Sequence, residues 1–163
     1  MYIFCSPILI SDREFFIGHR EANSALFQAL FAEVERHIVE YGVTYFVVGG
    51  YGGFDSLAAH AVKEAKKHYP KIVLTRLLPY HPAERPIPML DDFDGMYYPF
   101  GAERIPRKAA IVRANRIMVE QSNYLIAYAW HPASNARELL EYAFRRERKG
   151  LIKVTNLADI ISE

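Results

Sequence analysis

The segment Gly49-Gly50-Tyr51-Gly52-Gly53-Phe54-Asp55 follows an apolar run, Val43 to Val48, and leads into a helix-patterned stretch from Ser56 to Tyr69. A strand, a glycine turn and a helix start, in that order, make a cradle for phosphate. The first N–H groups of a helix lack partners and carry partial positive charge, and glycines let a ligand approach the backbone closely. The spacing is neither G-x-G-x-x-G nor G-x-x-x-x-G-K-[ST]. A plainer reading stands beside the cradle: a tight strand-to-helix turn with Asp55 as its N-cap.

The same unit recurs on both sides of this segment. Phe15-Phe16-Ile17 is a short apolar run stopped by Gly18-His19-Arg20, after which Leu26, Leu30, Val34, Ile38 and Tyr41 recur at helical spacing and Gly42 closes the helix. Further strand candidates are Ile72 to Leu78, Tyr124 to Ala129 and Ile152 to Val154. A helix-patterned run from Ala136 to Arg148, with Gly150 as its stop, precedes the last of these. Alternation of this kind predicts an α/β fold: a mostly parallel sheet with helices on both faces, a three-layer Rossmann-like sandwich.

Two stretches break the pattern. Residues 80–106 hold prolines 82, 86, 88, 99 and 106, an acidic Asp91-Asp92-Phe93-Asp94 and Tyr97-Tyr98, which reads as a long loop or lid with a short edge strand over Met96 to Phe100. The opening MYIFCSPILI is apolar but too short to span a bilayer, and it lacks the basic leader and cleavage site of a signal peptide. Ser11 to Glu14 reset the pattern after it. Residues 1–14 therefore read as an N-terminal extension, an added edge strand or a loose arm, and 15–163 as a single domain.

Composition narrows the function classes. A chain of 163 residues, 51% hydrophobic and 24% charged, suits one domain with a sizeable core, and its net charge of +1 gives no overall basic field for tight nonspecific nucleic-acid binding. The lone Cys5 excludes an internal disulfide and a cysteine-rich zinc site, and fits a reducing, cytoplasmic setting. Nothing calls for a metal, a cofactor or a membrane partner. The aromatic count (Tyr 11, Phe 10, Trp 1) allows a self-association interface.

In an open parallel sheet, ligands bind beyond the carboxyl ends of the strands, where strand order reverses. Three loops fall there: Gly18-His19-Arg20, Gly49 to Asp55, and His131-Pro132-Ala133-Ser134-Asn135. Arg20, directly after a strand-ending glycine, is placed to pair with phosphate. His19 reads first as a structural imidazole, and His131 carries a weaker signal still. Ser134 and Asn135 are helix caps that can yield to a phosphate oxygen. Arg104, Arg107, Lys108, Arg113 and Arg116 span about three helical turns; Arg113 and Arg116 could face the cleft. The run Arg145 to Lys149 ends a helix and reads as a complement to its dipole.

GGYGGFDSLAAHAV (Gly49 to Val62), together with VRANRIMVEQSNYLIAYAWHPASNARELLEYA (Val112 to Ala143), resembles the SLOG superfamily of Rossmann-like nucleotide-ligand domains. FIGHR (Phe16 to Arg20) resembles the T-G-H-R opening of the YpsA-like branch. The glycine turn running into D-x-x-A-A-H, with a later R-A-N-R (Arg113 to Arg116), is similar to the DNA-processing protein A branch. The resemblance implies a site built from the first, second and fourth strand-end loops and from the segment holding Arg113, Asn115 and Arg116.

Its members include LOG-type phosphoribohydrolases, sensors of NAD-derived nucleotides and single-strand DNA binders. The phosphoribohydrolases carry P-G-G-x-G-T-x-x-E, whereas this chain reads His131-Pro132-Ala133-Ser134-Asn135-Ala136-Arg137-Glu138. Arg137 takes the place of the glutamate, and Glu138 lies one position along, about 100° around a helix. The DNA-processing branch places an arginine in the glycine turn, where this chain has Gly53, so DNA binding is disfavoured.

The leading expectation is binding or sensing of a small nucleotide-derived ligand, ADP-ribose-like, NAD-like or a nucleoside phosphate. Gly18, His19, Arg20, Gly49, Gly50, Gly52, Gly53, Asp55, Arg113, Asn115, Arg116, Ser134 and Asn135 are its candidate residues. The alternatives are an N-glycosidic hydrolase of nucleotides, using Asp55 or Glu138, and a single-stranded DNA-binding module.

Overall fold

The computed structural model describes residues 3–4, 12–50, 52–80, 92–99 and 109–161. Seven parallel strands form one sheet: β1 (Ile3–Phe4), β2 (Arg13–Gly18), β3 (Tyr45–Val48), β4 (Val73–Leu77), β5 (Gly95–Tyr97), β6 (Tyr124–Tyr128) and β7 (Lys153–Asn156). Their order is β1-β5-β4-β3-β2-β6-β7. From β2 the chain winds outward through β3, β4 and β5, then crosses back to β6 and β7 on the other side. Strand order therefore reverses between β2 and β6, whose residues Glu14 to Gly18 pair with Tyr124 to Tyr128.

Side-chain alternation along the strands divides the core in two. Phe16, Phe46, Val48, Leu74 and Ile126 pack beneath α1 (Phe27–Tyr41) and α2 (Gly53–Lys66). Phe15, Ile17, Tyr45, Val47, Leu125 and Ala127 pack beneath α3 (Ala110–Gln121) and α4 (Asn135–Glu147). A short α5 (Leu157–Ile161) joins the first layer through Leu157. Gly42 and Gly150 sit at φ 69° and 74°, the left-handed conformation that lets glycine end α1 and the turn after α4. No described helix is long and apolar enough to cross a membrane.

Two details depart from the pattern read along the chain, and a third decides among its alternatives. Arg13 and Glu14, part of the apparent reset before the first strand, are its first two residues and are buried. On one face Arg13 Nη1 donates to the Gln121 carbonyl at 2.8 Å, and the guanidinium lies 4.9 Å from the centre of the Tyr97 ring. On the other, Glu14 meets His37 Nδ1 at 3.0 Å. Burial pushes the Glu14 carboxyl up, against the pull of His37.

The second departure lies inside the stretch read as a loop. Gly95–Tyr97 is a strand within the sheet, between β4 and β1, and not an edge. It is fastened by Asp94, which accepts the Leu74 N–H at 2.8 Å and pairs with Lys66. The rest of that stretch, 81–91 and 100–106, lies outside the described residues, as do Arg104, Arg107 and Lys108. The third concerns the N-terminal segment, where Ile3–Phe4 supply the outer edge strand by pairing with Met96 and Tyr97.

Candidate functional site

At the carboxyl edge, where the loops after β2 and β6 part, lies a cavity of about 420 Å³. That is the size of small-molecule sites. Gly18, His19 and Arg20 reach it from β2, Asp55 from α2, Asn115 and Arg116 from α3, and Ser134, Asn135 and Glu138 from α4. Gly49, Gly50, Gly52, Gly53 and Arg113 do not line it.

The glycine turn has another occupation. Gly53 N–H donates to the Arg20 carbonyl at 2.7 Å, and Phe54 N–H to the His19 carbonyl at 3.3 Å. The first two donors of α2 are thus filled by the loop after β2. Gly52, not Asp55, is the N-cap, and its φ of −178° is extended backbone that any residue adopts. What excludes a side chain here is space. A Cβ on Gly52 would stand 3.0 Å from Arg20 Cα, one on Gly53 2.5 Å from the Arg20 carbonyl oxygen, and one on Gly18 2.3 Å from the Phe54 ring. Asp55 takes the third position of the helix, with a carboxylate oxygen 2.8 Å from where a Cβ on Gly49 would be.

The turn into α4 is arranged differently. Ser134 caps the helix, its Oγ accepting the Arg137 N–H at 3.0 Å and donating to the His131 carbonyl at 2.9 Å. The N–H groups of Asn135 and Ala136 have no partner among the described residues, and both residues line the cavity. This open first turn favours an anion. Arg137 points back into the scaffold, donating to the Ala129 carbonyl at 3.2 Å and pairing with Glu141 at 2.9 Å.

His19 ties the two loops together. Its Nε2 accepts the N–H groups of Trp130 at 3.0 Å and His131 at 3.2 Å, so the ring is the Nδ1–H tautomer. Burial, followed by the neighbouring His131, holds its pKa below the ordinary histidine value. The imidazole is a clasp as well as part of the cavity wall.

Charge in the cavity comes from three arginines. Arg116 lies 4.2 Å from the centre of the Tyr142 ring, Arg145 lies 5.6 Å from it, and the Arg20 side chain has no hydrogen bond or ion pair among the described residues. Tyr142 is steadied by donating to Glu120 at 2.5 Å. Opposing these are the carboxylates Asp55 and Glu138, with Ile111, Val112 and Leu139 as apolar wall. Such a lining can seat an anionic group, accept bonds from hydroxyls and cover an apolar ring.

Tyr142, Leu139 and Arg145 were missed in the sequence, where Arg145 counted only toward the helix dipole. Their signal was periodicity: positions 135, 138, 139, 142 and 145 share one face of α4, which starts at a cleft-facing cap.

No protein-family model matches the sequence, and no curated protein matches it. Solved structures share its architecture. DNA processing protein A (DprA) from Streptococcus pneumoniae superposes with a TM-score of 0.59 at 13% identity, over 93% of this chain and 61% of that one. The shared architecture is a Rossmann-like α/β fold.

The chain spans about three fifths of the length of that pneumococcal protein. A molybdenum cofactor binding protein from Rippkaea orientalis gives 0.55 at 12% identity over 91% of each chain. DNA processing protein A from Helicobacter pylori, described for its single-stranded DNA binding mode, gives 0.52 at 17% over 93% of this chain and 79% of that one. At these identities the likeness speaks for the fold.

Proposed function

We propose that the cavity binds a small nucleotide-derived ligand, an ADP-ribose-like or NAD-like molecule or a nucleoside phosphate, in a cytoplasmic sensing role like that of the YpsA-like proteins that Phe16 to Arg20 resembles. One observation carries this reading. The N–H groups of Asn135 and Ala136, without a partner among the described residues, open on a cavity that also receives Arg20, Arg116 and Arg145. A phosphate on the first turn of α4 meets backbone donors and positive charge together. Asp55 and Glu138 accept ribose hydroxyls, and Ile111, Val112 and Leu139 cover the base.

The test is thermal stability of the full chain against AMP, ADP-ribose, NAD and a short single-stranded oligonucleotide. A ligand of the native state at a hundredfold excess over its Kd stabilises by about 2.7 kcal/mol. A nucleotide-specific shift that Arg116→Ala reduces supports the reading; a shift with the oligonucleotide alone, falling steeply with salt, replaces it by the DNA-binding reading.

A second reading, N-glycosidic hydrolysis of a nucleotide, draws on Asp55 and Glu138 lining the same cavity. A carboxylate there stabilises a developing oxocarbenium charge. Free base released by the parent chain and absent in an Asp55→Asn, Glu138→Gln double variant is the expected chromatographic result.

A further inference from the structure

The turn from β6 into α4 is held by imidazoles. At its root Ala129 is fixed to the sheet: its N–H donates to Asn156 Oδ1 at 3.2 Å, and its carbonyl accepts from Asn156 Nδ2 and from Arg137. Beyond Ala129 the fastening changes in kind. His19 Nε2 accepts the N–H groups of Trp130 and His131, and His131 Nδ1 accepts the Ala133 N–H at 3.2 Å. The His131 carbonyl in turn accepts the Ser134 N–H at 3.2 Å and its hydroxyl at 2.9 Å. Ser134 then caps α4, beside the open N–H groups of Asn135 and Ala136.

A backbone N–H can only donate. Each of the three bonds to a ring therefore requires a nitrogen without a proton, and protonation of that nitrogen sets N–H against N–H. Among the described residues little else holds the segment: Trp130 is 57% exposed, and His131, Pro132 and Ala133 are exposed too. The indole meets the same two rings, 5.2 Å from His19 and 5.5 Å from His131. On its other side His19 meets Tyr128 of β6 edge-on at 5.8 Å.

The charges around the pair balance in number. Arg20 and Glu21 follow His19 in the same loop, while Asp55 of α2, Arg116 of α3, and Glu138 and Arg145 of α4 share the cavity wall with it. The direction is therefore set by the lost acceptors. An open turn leaves both imidazoles free to take up protons and a shut one does not, so opening is favoured as pH falls.

We propose that His19 and His131 form a proton-operated latch: with both rings neutral, residues 130–134 are shut and the first turn of α4 faces the cavity, and proton uptake releases them together with the anion seat. The latch stands on the hydrogen bonds alone; its coupling to ligand rests on the reading of the cavity as an anion site. That coupling has a sign of its own. A histidine that merely attracts an anion binds it more tightly when charged, whereas the latch binds it less tightly in acid.

The latch is tested by amide hydrogen exchange of the full chain, followed by NMR and corrected for the intrinsic rate at each pH. Protection of the Trp130, His131 and Ala133 amides falls about tenfold between about pH 7.5 and about pH 5, the size of one or two lost hydrogen bonds, while β2 and β3 keep theirs. A His19→Gln, His131→Asn double variant, whose amide oxygens accept at every pH, shows no such fall. If it does not fold, the single variants take its place, each keeping part of the response. Equal protection of the parent at both pH values overturns the latch, and so does a fall of the same size in the double variant or one shared by β2 and β3.

The coupling is read by calorimetric titration with inorganic sulfate, whose charge is constant over this range. Sulfate binds the parent about fivefold more weakly at the lower pH, and the double variant equally at both. Tighter or unchanged binding by the parent in acid overturns the coupling. A parent that binds no sulfate at either pH overturns the anion reading of the cavity and the coupling with it, and the latch is then judged by exchange alone.

Discussion

The turn from β3 into α2 carries four glycines and the turn from β6 into α4 carries none, yet the second is the one whose helix opens on the cavity. In the first, the glycines bring two stretches of backbone together, and the donors of Gly53 and Phe54 close on the carbonyls of Arg20 and His19. In the second, Ser134 satisfies one donor, and Asn135 and Ala136 keep theirs. A glycine run allows close approach; what approaches is decided by the neighbouring loop.

Filling the first turn is the harshest way to break this contrast. Gly18→Ala sets a methyl group into the Phe54 ring and Gly53→Ala sets one against the Arg20 carbonyl. Each is expected to cost about 3 kcal/mol in urea denaturation, the upper range for overpacking. A loss below about 0.5 kcal/mol at both sites would mean that the glycines keep space for a ligand and not for the chain.

The clasp between the turns gives the next effect. His19 is neutral where its Nε2 accepts two N–H groups, and its folded pKa lies below the ordinary value of 6.5. The unfolded chain therefore takes up this proton first. The clasp's contribution is full above about pH 6.5 and is lost as pH falls below it toward the folded value. His19→Ala should cost about 1–2 kcal/mol at pH 7.5, from two lost hydrogen bonds, with the gap to the parent shrinking as pH falls to 5. A gap constant with pH would show that the imidazole holds the loops by packing alone.

Ser134→Ala removes the acceptor that fills the Arg137 N–H in the second turn and should cost about 1 kcal/mol in the same assay, as a lost N-cap does. The smallest change in stability sharpens the comparison most. Asn135→Pro deletes one open N–H at the first helical position, where proline is well tolerated, and Ser134 at φ −85° and ψ 155° already has the backbone that a following proline requires. Stability should move by less than about 0.5 kcal/mol. Nucleotide affinity should fall about fivefold relative to Asn135→Ala, in keeping with one hydrogen bond.

Much of the fold was legible because burial imposes periods on a sequence. The spacing of Leu30, Val34 and Ile38 marked α1, and the runs at Phe15, Val43 and Tyr124 marked three adjacent strands. Arg13 and Glu14 were misread for a reason of the same kind. Charged residues signal solvent unless a partner from elsewhere neutralises them, and those partners, Gln121, Tyr97 and His37, lie far along the chain. Gly95–Tyr97 was obscured by its prolines and acids, of which Asp94 serves as a tether to β4 and Lys66.

Of the candidate site, the loops were legible and their division of labour was not. Strand-to-helix turns declare themselves by composition, so Gly18 to Arg20, Gly49 to Asp55 and His131 to Asn135 were found as a group. The sequence by itself determined the order of strands and helices, the parallel sheet and the edge at which three loops meet, because each follows from local propensity and from the need to bury apolar faces. Only the tertiary structure decided that α2 spends its donors on the chain, that α4 keeps its own, and that Arg145 and Tyr142 turn toward the cavity. Which donor meets which acceptor depends on separations of a few tenths of an ångström between segments distant in sequence, and local residue patterns do not encode them.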